Sequence, residues 1–214
     1  MPTLHQLRIE LQDRPGALAR VTAALAESRV NILDIVIHEI DGSTVVDEVI
    51  VDAPEDWDLV ATREALDAIG VHLLSSAEVR RREDPVLTAL GWVDELVAAA
   101  PEEREDALAR LVARAAGASR ACVLSASRAR QVSAGRAALD RGAAGVQRTA
   151  DLPVQMATSG ESLRWLLAVP DSFESPALVA FATRPLSQRF TGTEVARAGA
   201  VVSTHRRLLA VSPV

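Results

Sequence analysis

The sequence contains no lysine and no tyrosine, and its single cysteine is Cys122. All 23 residues in the combined Lys and Arg count are therefore arginine. Without lysine the chain cannot form a Schiff base with pyridoxal phosphate, complete a GxxxxGK[ST] phosphate loop or present an SxxK nucleophile. One cysteine excludes an internal disulfide and any zinc or iron–sulfur site built from several cysteines. These absences remove several classes of enzyme and metalloprotein.

Long apolar runs are also missing, since no stretch approaches the roughly 20 residues that span a bilayer. The segment Met1-Pro2-Thr3-Leu4-His5 lacks the basic start and apolar core of a signal peptide. We therefore expect a soluble, cytoplasmic protein with no membrane partner. The net charge of -6 argues against nucleic acid as the main partner.

Charge divides the chain into two parts. Residues 1–84 carry 17 acidic and 8 basic side chains, whereas residues 85–214 carry 12 acidic and 15 basic ones. The change falls at a charged run, Arg80-Arg81-Arg82-Glu83-Asp84, which ends at Pro85. Such a run is typical of a linker. The sequence predicts one domain over residues 1–80, a linker over 81–85 and a second domain over 86–214.

The first domain alternates between the strand and helix periods. Leu7, Ile9 and Leu11 share one strand face, and Leu18, Val21, Thr22 and Leu25 then follow helical spacing. The helix is predicted to start near Pro15 with Asp13 or Arg14 as its cap, and Asp41-Gly42 is predicted to be a hairpin turn. The remaining predicted elements are strands over about 30–40 and 44–52, a helix over 57–69, and a strand over 71–79 with Val71, Leu73, Ser75, Ala77 and Val79 on one face. This β-α-β-β-α-β order predicts an antiparallel sheet with both helices on one face.

One loop and one strand start carry a family resemblance. Leu11-Gln12-Asp13-Arg14-Pro15-Gly16-Ala17-Leu18, followed by Val30-Asn31-Ile32, resembles the ACT domain over residues 3–80. The resemblance implies a ferredoxin-like fold and a bacterial ACT domain-containing regulatory protein. It also implies a homodimer of domains placed side by side, with an amino acid bound where the first strand–helix loop meets the start of the second strand. The implied binding residues are Asp13, Arg14, Pro15, Gly16, Ala17, Leu18, Asn31 and Ile32.

The chemistry of the loop suits such a ligand. A helix N-terminus offers free N–H groups and a positive dipole end to a carboxylate, and Asp13 is able to accept from an ammonium group. In the alternative reading Asp13 only caps the helix, Gly16 allows packing and Asn31 shapes a turn. The serine-sensing members of the family carry a histidine two residues before the position of Asp13, where this chain has Leu11. The identity of the ligand is therefore open.

Four ionisable side chains on the second and third strands form a further candidate set. A metal site would need the histidine and the carboxylates to converge. We expect instead a solvated or dimer-facing sheet surface and no metal. The four residues are Asp34, His38, Asp47 and Glu48.

The second domain reads as helices, then strands, then a long terminal helix, so the whole chain is expected to be α+β. Helices are predicted after Pro85 and from Pro101 to Gly117, and Ala121 to Ala126 is predicted to be a buried strand containing Cys122. Further strands are predicted over 163–169 and 177–183, while residues 128–150 show no clear period. A capping box, Thr191-Gly192-Thr193-Glu194, is predicted to start the last helix.

The second domain resembles a GAF domain, and the resemblance covers about residues 85–212. Its landmarks are residues 166–170, 178–181 and an Arg189-Phe190-Thr191-x-x-Glu194 helix start. The resemblance implies either packing and dimerisation or a small-molecule sensor. The last-helix stripe of Val195, Ala198, Val202 and Leu209 fits either a dimer bundle or the domain's own sheet. No haem or bilin attachment signature is present, and Cys122 is expected to be a buried, inert thiol.

No group of residues indicates a reaction. The histidines are scattered, and the basic stretch Arg120–Arg141 lacks the interleaved aromatic residues of a nucleic-acid site. We therefore expect no catalytic residues, no cofactor and a non-enzymatic, allosteric regulatory protein that senses a small molecule. The competing hypothesis is an interaction module whose two domains only assemble a protein partner.

Overall fold

The computed structural model describes residues 3–38, 43–79, 84–149, 151–156, 163–172, 174–186 and 188–211. The chain splits into two compact units, Met1–Glu83 and Asp84–Val214. No helix within the described ranges is long and apolar enough to cross a membrane.

The first unit has the predicted β-α-β-β-α-β order. Its strands pair antiparallel in the order β2-β3-β1-β4, which leaves β2 and β4 at the edges. Leu7, Ile9 and Leu11 are buried on one face of β1, as the alternation predicts. The elements are β1 (Thr3–Gln12), α1 (Ala17–Glu27), β2 (Asn31–His38), β3 (Thr44–Ala53), α2 (Leu59–Ala68) and β4 (His72–Val79).

One apolar core joins the helices to this sheet. Val21 and Leu25 of α1 and Leu66 of α2 pack in the same cluster as the buried residues of β1 and β3. Both helices are thereby packed against the sheet. The α2 helix begins later than predicted because Asp58 caps it, accepting hydrogen bonds from the N–H groups of Val60 and Ala61.

The prediction that alternate residues of β4 share one face is wrong. Leu73 pairs with Ile9, but Ser75 pairs with Arg8, because the register shifts between these pairs. A β-bulge inserts one residue and thereby moves the following side chains to the other face. The predicted Asp41-Gly42 turn lies outside the described residues.

The second unit places helices on both faces of a four-stranded antiparallel sheet of order β5-β8-β7-β6. Residues 128–150, which have no clear period in the sequence, contain a helix and a strand. The elements are α3 (Pro85–Ala98), a 3-10 turn (Pro101–Glu103), α4 (Arg104–Ala115), β5 (Arg120–Ser125), α5 (Ala126–Ala129), α6 (Ser133–Arg141), β6 (Gly145–Thr149), a 3-10 turn (Val154–Met156), β7 (Arg164–Pro170), β8 (Leu178–Pro185) and α7 (Gly192–Val211).

Each face of this sheet has its own core. Leu167 and Ala180 pack with α4 and α7 on one face, and Leu166 and Phe181 pack with α6 on the other. Burial on both faces explains why β7 and β8 read as unbroken apolar runs. Ala198 and Val202 of α7 are buried in the first of these cores, so those two stripe residues serve the unit's own packing.

The predicted capping box at the start of α7 is confirmed. The Thr191 hydroxyl accepts from the N–H of Glu194, and the Glu194 carboxylate accepts from the N–H of Thr191. The same carboxylate makes a buried ion pair with Arg184 at 2.6 Å. Glu194 of the helix cap thus also links the end of β8 to the start of α7.

Candidate ligand-binding site

The β1–α1 turn is built from Arg14, Pro15, Gly16 and Ala17. The N–H of Ala17 donates to the carbonyl of Arg14 at 3.1 Å, which closes a four-residue turn. Gly16 has φ 82° and ψ 0°, the values of the third residue of a type II turn, and proline is favoured at the position before it. The N–H of Asp13 donates to the carbonyl of Ser43 at 2.8 Å and fixes the turn beside the start of β3.

This turn corrects the predicted start of the helix. Gly16 is the N-cap and no side chain caps α1, so Asp13 and Arg14 are not capping residues and Pro15 precedes the helix. The reason is that Pro15 and Gly16 complete the type II turn before helical geometry begins. Leu18 and Ala19 lie in the first helical turn, where N–H groups have no acceptor within the helix. No hydrogen bond from either N–H is made within the described residues.

A cavity of about 330 Å³ lies at this turn, open to solvent on one side. Five of the predicted binding residues line it, namely Asp13, Arg14, Gly16, Ala17 and Leu18, whereas Pro15 does not. The rest of its wall comes from the end of β1, the first turn of α1, the end of β2 and the start of β3. These further lining residues are Leu11, Gln12, Ala19, Ile37, Val45 and Asp47.

The other two predicted residues, Asn31 and Ile32, do not line this cavity. They begin β2, where Asn31 pairs with Asp52, while Ile37 at the far end of the strand pairs with Asp47. At 3.3 Å per residue, Asn31 and Ile37 are separated by about 20 Å along the strand. Within one chain, therefore, the loop and the start of β2 lie at opposite ends of the sheet.

Asp47 is the residue of this site that sequence reasoning assigned wrongly. It was expected on a solvated or dimer-facing surface, yet its side chain is only 1% exposed. It shares the helix-facing side of the sheet with Val49 and Val51, and neither carboxylate oxygen has a hydrogen-bond partner within the described residues. An acidic residue in an otherwise apolar alternating strand, Val45-x-Asp47-x-Val49, was the available signal.

The surroundings of Asp47 disfavour its ionised form. Burial raises the pKa of the Asp47 carboxyl above its ordinary value, and the nearby negative charge of Asp13 raises it further. His38 acts in the opposite direction and lowers this pKa. Since burial is the largest effect, an ionised Asp47 carries an uncompensated desolvation cost.

The remaining candidate metal ligands do not form a centre. His38 is buried on β2, also against the expectation of a solvated surface, with its Nε2 3.7 Å from Oε2 of Glu48. Asp34 accepts a hydrogen bond from the N–H of Ile35. Among the described residues no group of three or more His, Cys, Asp or Glu side chains is arranged to hold a metal ion.

Comparison with known families adds an assignment for this part of the chain. The profile of the ACT domain matches residues 5–71. Residues 5–71 form an ACT domain. The cavity at the β1–α1 turn therefore lies inside a type of module that typically binds small ligands in a regulatory role.

Solved structures align with the ACT domain or with the whole chain at low similarity. An ACT domain protein from Streptococcus pneumoniae is 22% identical, with 36% of this chain and 91% of that chain covered and a TM-score of 0.31. The ACT domain from GTP pyrophosphokinase of Chlorobium tepidum is 14% identical, covering 37% and 100% of the two chains with a TM-score of 0.26.

One further alignment extends beyond the ACT domain. An unknown protein from Galdieria sulphuraria is 12% identical, covering 98% and 93% of the two chains with a TM-score of 0.35. No curated protein matches the chain. The assignment of the ACT domain thus depends on the family profile.

A second cavity of the first unit, of about 350 Å³, lies beside the edge strand β4. His5 and Trp57 meet in it edge to face with ring centroids 4.7 Å apart, and Glu78 lines the same cavity. The Trp57 indole donates to the Thr62 hydroxyl at 2.7 Å, so the ring is fixed by the start of α2. This contact accounts for the position of Trp57 before the helix.

Outside the ACT domain, Cys122 lines a cavity of about 480 Å³ in the second unit. Burial raises the pKa of the Cys122 thiol to about 12. A thiol that stays protonated at neutral pH is a poor nucleophile and a poor metal ligand. The expectation that Cys122 is buried is confirmed.

Proposed function

We propose that this protein is a non-enzymatic regulatory protein whose ACT domain binds an amino acid or a similar small metabolite at a dimer interface. The observation that carries the proposal is the cavity at the β1–α1 turn, with Leu18 and Ala19 N–H groups at its helix end. Such groups stabilise a carboxylate, and Arg14 on the same wall adds a positive charge.

The position of Asn31 supports the dimer. β2 lies at the edge of the sheet, with the apolar side chains of Leu33 and Ile37 exposed along it. Two copies related by a two-fold axis and paired through antiparallel β2 edges bring the start of β2 in one copy towards the β1–α1 turn of the other. In this arrangement Asn31 and Ile32 of the second copy complete the cavity of the first.

Regulation then follows from differential binding. A ligand held between two copies binds one dimer arrangement more tightly than another, and it shifts the population towards that arrangement. We propose that the second unit is a GAF-like domain that serves packing and dimerisation.

A thermal-shift screen against the twenty amino acids at millimolar concentration tests the proposal. A ligand that binds the native state raises the melting temperature, and Arg14→Ala reduces the shift without changing the melting temperature of the free protein. Arg110→Ala is the matched control, since Arg110 lies on α4 in the second unit. The absence of any shift, together with no heat of binding in calorimetry, contradicts the proposal.

Ile37→Glu tests the dimer separately. Ile37 is 60% exposed on the edge strand, so a charge there disfavours edge pairing while it costs the monomer little. We expect the sedimentation coefficient to fall from that of a dimer to that of a monomer. Val60→Glu, at an equally exposed apolar position on α2, is expected to leave the dimer intact.

One observation favours the second candidate function, an assembly module without a ligand. Helix α3 exposes an apolar stripe of Val86, Leu90, Val93 and Val97, whose alternating spacing of four and three residues is that of a coiled-coil seam. In this alternative α3 mediates self-association. Leu90→Glu then dissociates the oligomer, whereas Ile37→Glu and added amino acids have no effect.

A further inference from the structure

We propose that Asp47 is the residue that recognises a cationic group of the ligand, and that it thereby restricts the cavity to primary ammonium compounds. The inference rests on the proposed function, because it assigns a specificity residue to the same cavity. Asp13, which sequence reasoning proposed for the ammonium group, lies at the exposed rim instead.

The burial of Asp47 without a partner is the first observation. Its side chain is 1% exposed, lines the cavity at the β1–α1 turn, and has both carboxylate oxygens without a hydrogen bond inside the described residues. Buried acidic groups in proteins are ordinarily paired or hydrogen-bonded. The carboxylate of this lining residue therefore has unused acceptor capacity for a donor that is bound in the cavity.

The lining around Asp47 narrows the kind of donor. The neighbouring wall residues Leu11, Ala17, Val45 and Ile37 are apolar. Their side chains therefore cannot donate a hydrogen bond to the Asp47 oxygens. A cationic N–H donor gains most in such a place, since a charge-assisted hydrogen bond is stronger in a region of low dielectric constant. The positively charged group also offsets the negative charge that burial disfavours.

Besides the side chains of Gln12, Asp13 and Arg14, the cavity has two polar features that prefer opposite charges. The helix end, with the N–H groups of Leu18 and Ala19, favours an anion, and Asp47 favours a cation. A zwitterion satisfies both, whereas a simple carboxylic acid or a simple amine satisfies only one. The class of ligand that fits both features is an α-amino acid with a free ammonium group.

Asp47→Asn is the informative variant, because it keeps the shape of the side chain and removes its charge. Asp67→Asn is the matched control, since Asp67 is an exposed acid on α2 whose contact is His72. Three probe sets are measured by thermal shift and calorimetry: the twenty free L-amino acids, their N-acetyl derivatives, and the primary amines that lack the carboxylate.

The expected result is that at least one free amino acid binds the wild-type protein and its N-acetyl derivative does not. Loss of a charge-assisted hydrogen bond to Asp47 is expected to weaken that binding about tenfold or more, while Asp67→Asn leaves it unchanged. Equal binding to the wild-type protein and Asp47→Asn overturns the inference, as does equal binding of free and N-acetylated amino acids.

The failure of the inference is distinguishable from failure of the proposed function. If N-acetyl amino acids bind well, the cavity is a small-molecule site and the role of Asp47 is wrong. If amines bind in an Asp47-dependent manner and amino acids do not, the role of Asp47 stands and the amino-acid ligand is wrong. If no probe binds, both are overturned.

Discussion

Asp47 and Ile37 are direct cross-strand partners on the helix-facing side of the sheet, one a buried carboxylate and the other an exposed apolar side chain. Both line the cavity at the β1–α1 turn. A ligand that fills this cavity therefore lies beside both side chains.

The first prediction concerns stability against pH. Since the pKa of Asp47 in the folded state is raised above its ordinary value of 3.8, the folded state holds this proton more tightly than the unfolded state. The resulting stabilisation is present below about pH 3.8 and is lost as the pH rises through the folded-state pKa. We expect Asp47→Asn to be more stable than the wild-type protein at pH 7, with the difference shrinking towards pH 4.

Urea unfolding followed by fluorescence at several pH values measures this difference. His38 and Asp13, whose charges act on Asp47, are retained in both proteins, so the comparison isolates the Asp47 carboxyl. A difference in the free energy of unfolding that stays constant between pH 4 and pH 7 contradicts the prediction.

The second prediction separates backbone strain from ligand binding. Gly16 and Gly70 have φ of 82° and 75°, and an added Cβ meets no atom within 4 Å at either position. Alanine at either site is expected to cost about 1–2 kcal/mol, because L-residues are disfavoured in the left-handed region. Only Gly16→Ala is expected to weaken ligand binding as well, since Gly16 lines the cavity and Gly70 lies beyond the end of α2.

Melting curves and titrations of the two glycine variants provide the measurement. Equal effects of Gly16→Ala and Gly70→Ala on ligand affinity would place the binding site away from the β1–α1 turn.

The third prediction concerns the buried ion pair of the second unit. Nη2 of Arg184 lies 2.6 Å from Oε1 of Glu194, and the two side chains are 1% and 5% exposed. Arg184 also donates a hydrogen bond to the carbonyl of Ala116. Glu194→Ala leaves a buried guanidinium without its anion, so we expect a loss of about 3–5 kcal/mol in the free energy of unfolding. The double replacement Arg184→Met with Glu194→Leu is expected to cost much less, because no charge remains buried.

An exposed ion pair serves as the control. Nη1 of Arg130 lies 2.9 Å from Oδ1 of Asp140, but both side chains are more than half exposed. We expect Asp140→Ala to lower the free energy of unfolding by only about 0–1 kcal/mol. If the single and double replacements at Arg184 and Glu194 cost the same, the loss comes from the helix cap and not from an unpaired charge.

The fourth prediction concerns His205 on α7. Its ring is buried, and neither ring nitrogen has a hydrogen-bond partner in the described part of the chain. Burial lowers the pKa of His205 below 6.5 and Arg104 lowers it further, while Asp171 and Glu105 raise it. The folded state thus disfavours the charged form of His205. The contribution of the neutral ring to the stability of the folded state is present above about pH 6.5 and is lost as the pH falls through the folded-state pKa.

His205→Leu removes this proton linkage. We expect the free energy of unfolding of the variant to fall less steeply than that of the wild-type protein between pH 6.5 and pH 5, as followed by chemical denaturation. Identical slopes for His205→Leu and wild type contradict the assignment.

Local patterns in the sequence were sufficient for the order of elements in the first domain and for the capping box of the second. The alternation of Leu7, Ile9 and Leu11 is a property of neighbours along one strand, and the Thr191–Glu194 capping box involves residues three apart. The helix was predicted to start near Pro15, but the type II geometry of the turn at Pro15 and Gly16, which delays the helix to Ala17, depends on the conformation of four residues together. Interactions between residues that are close in the chain are visible in the local sequence.

The tertiary structure decided which side chains meet. The position of Asp47 beside the β1–α1 turn depends on the pairing of β3 with β1, and the separation of Asn31 from that turn depends on the direction of β2 in the sheet. The sequence by itself determined the ACT loop, the strand order along the chain and the absence of lysine chemistry. Only the fold decided that an unpaired carboxylate lies in the cavity, because burial is set by contacts between residues that are distant in the chain.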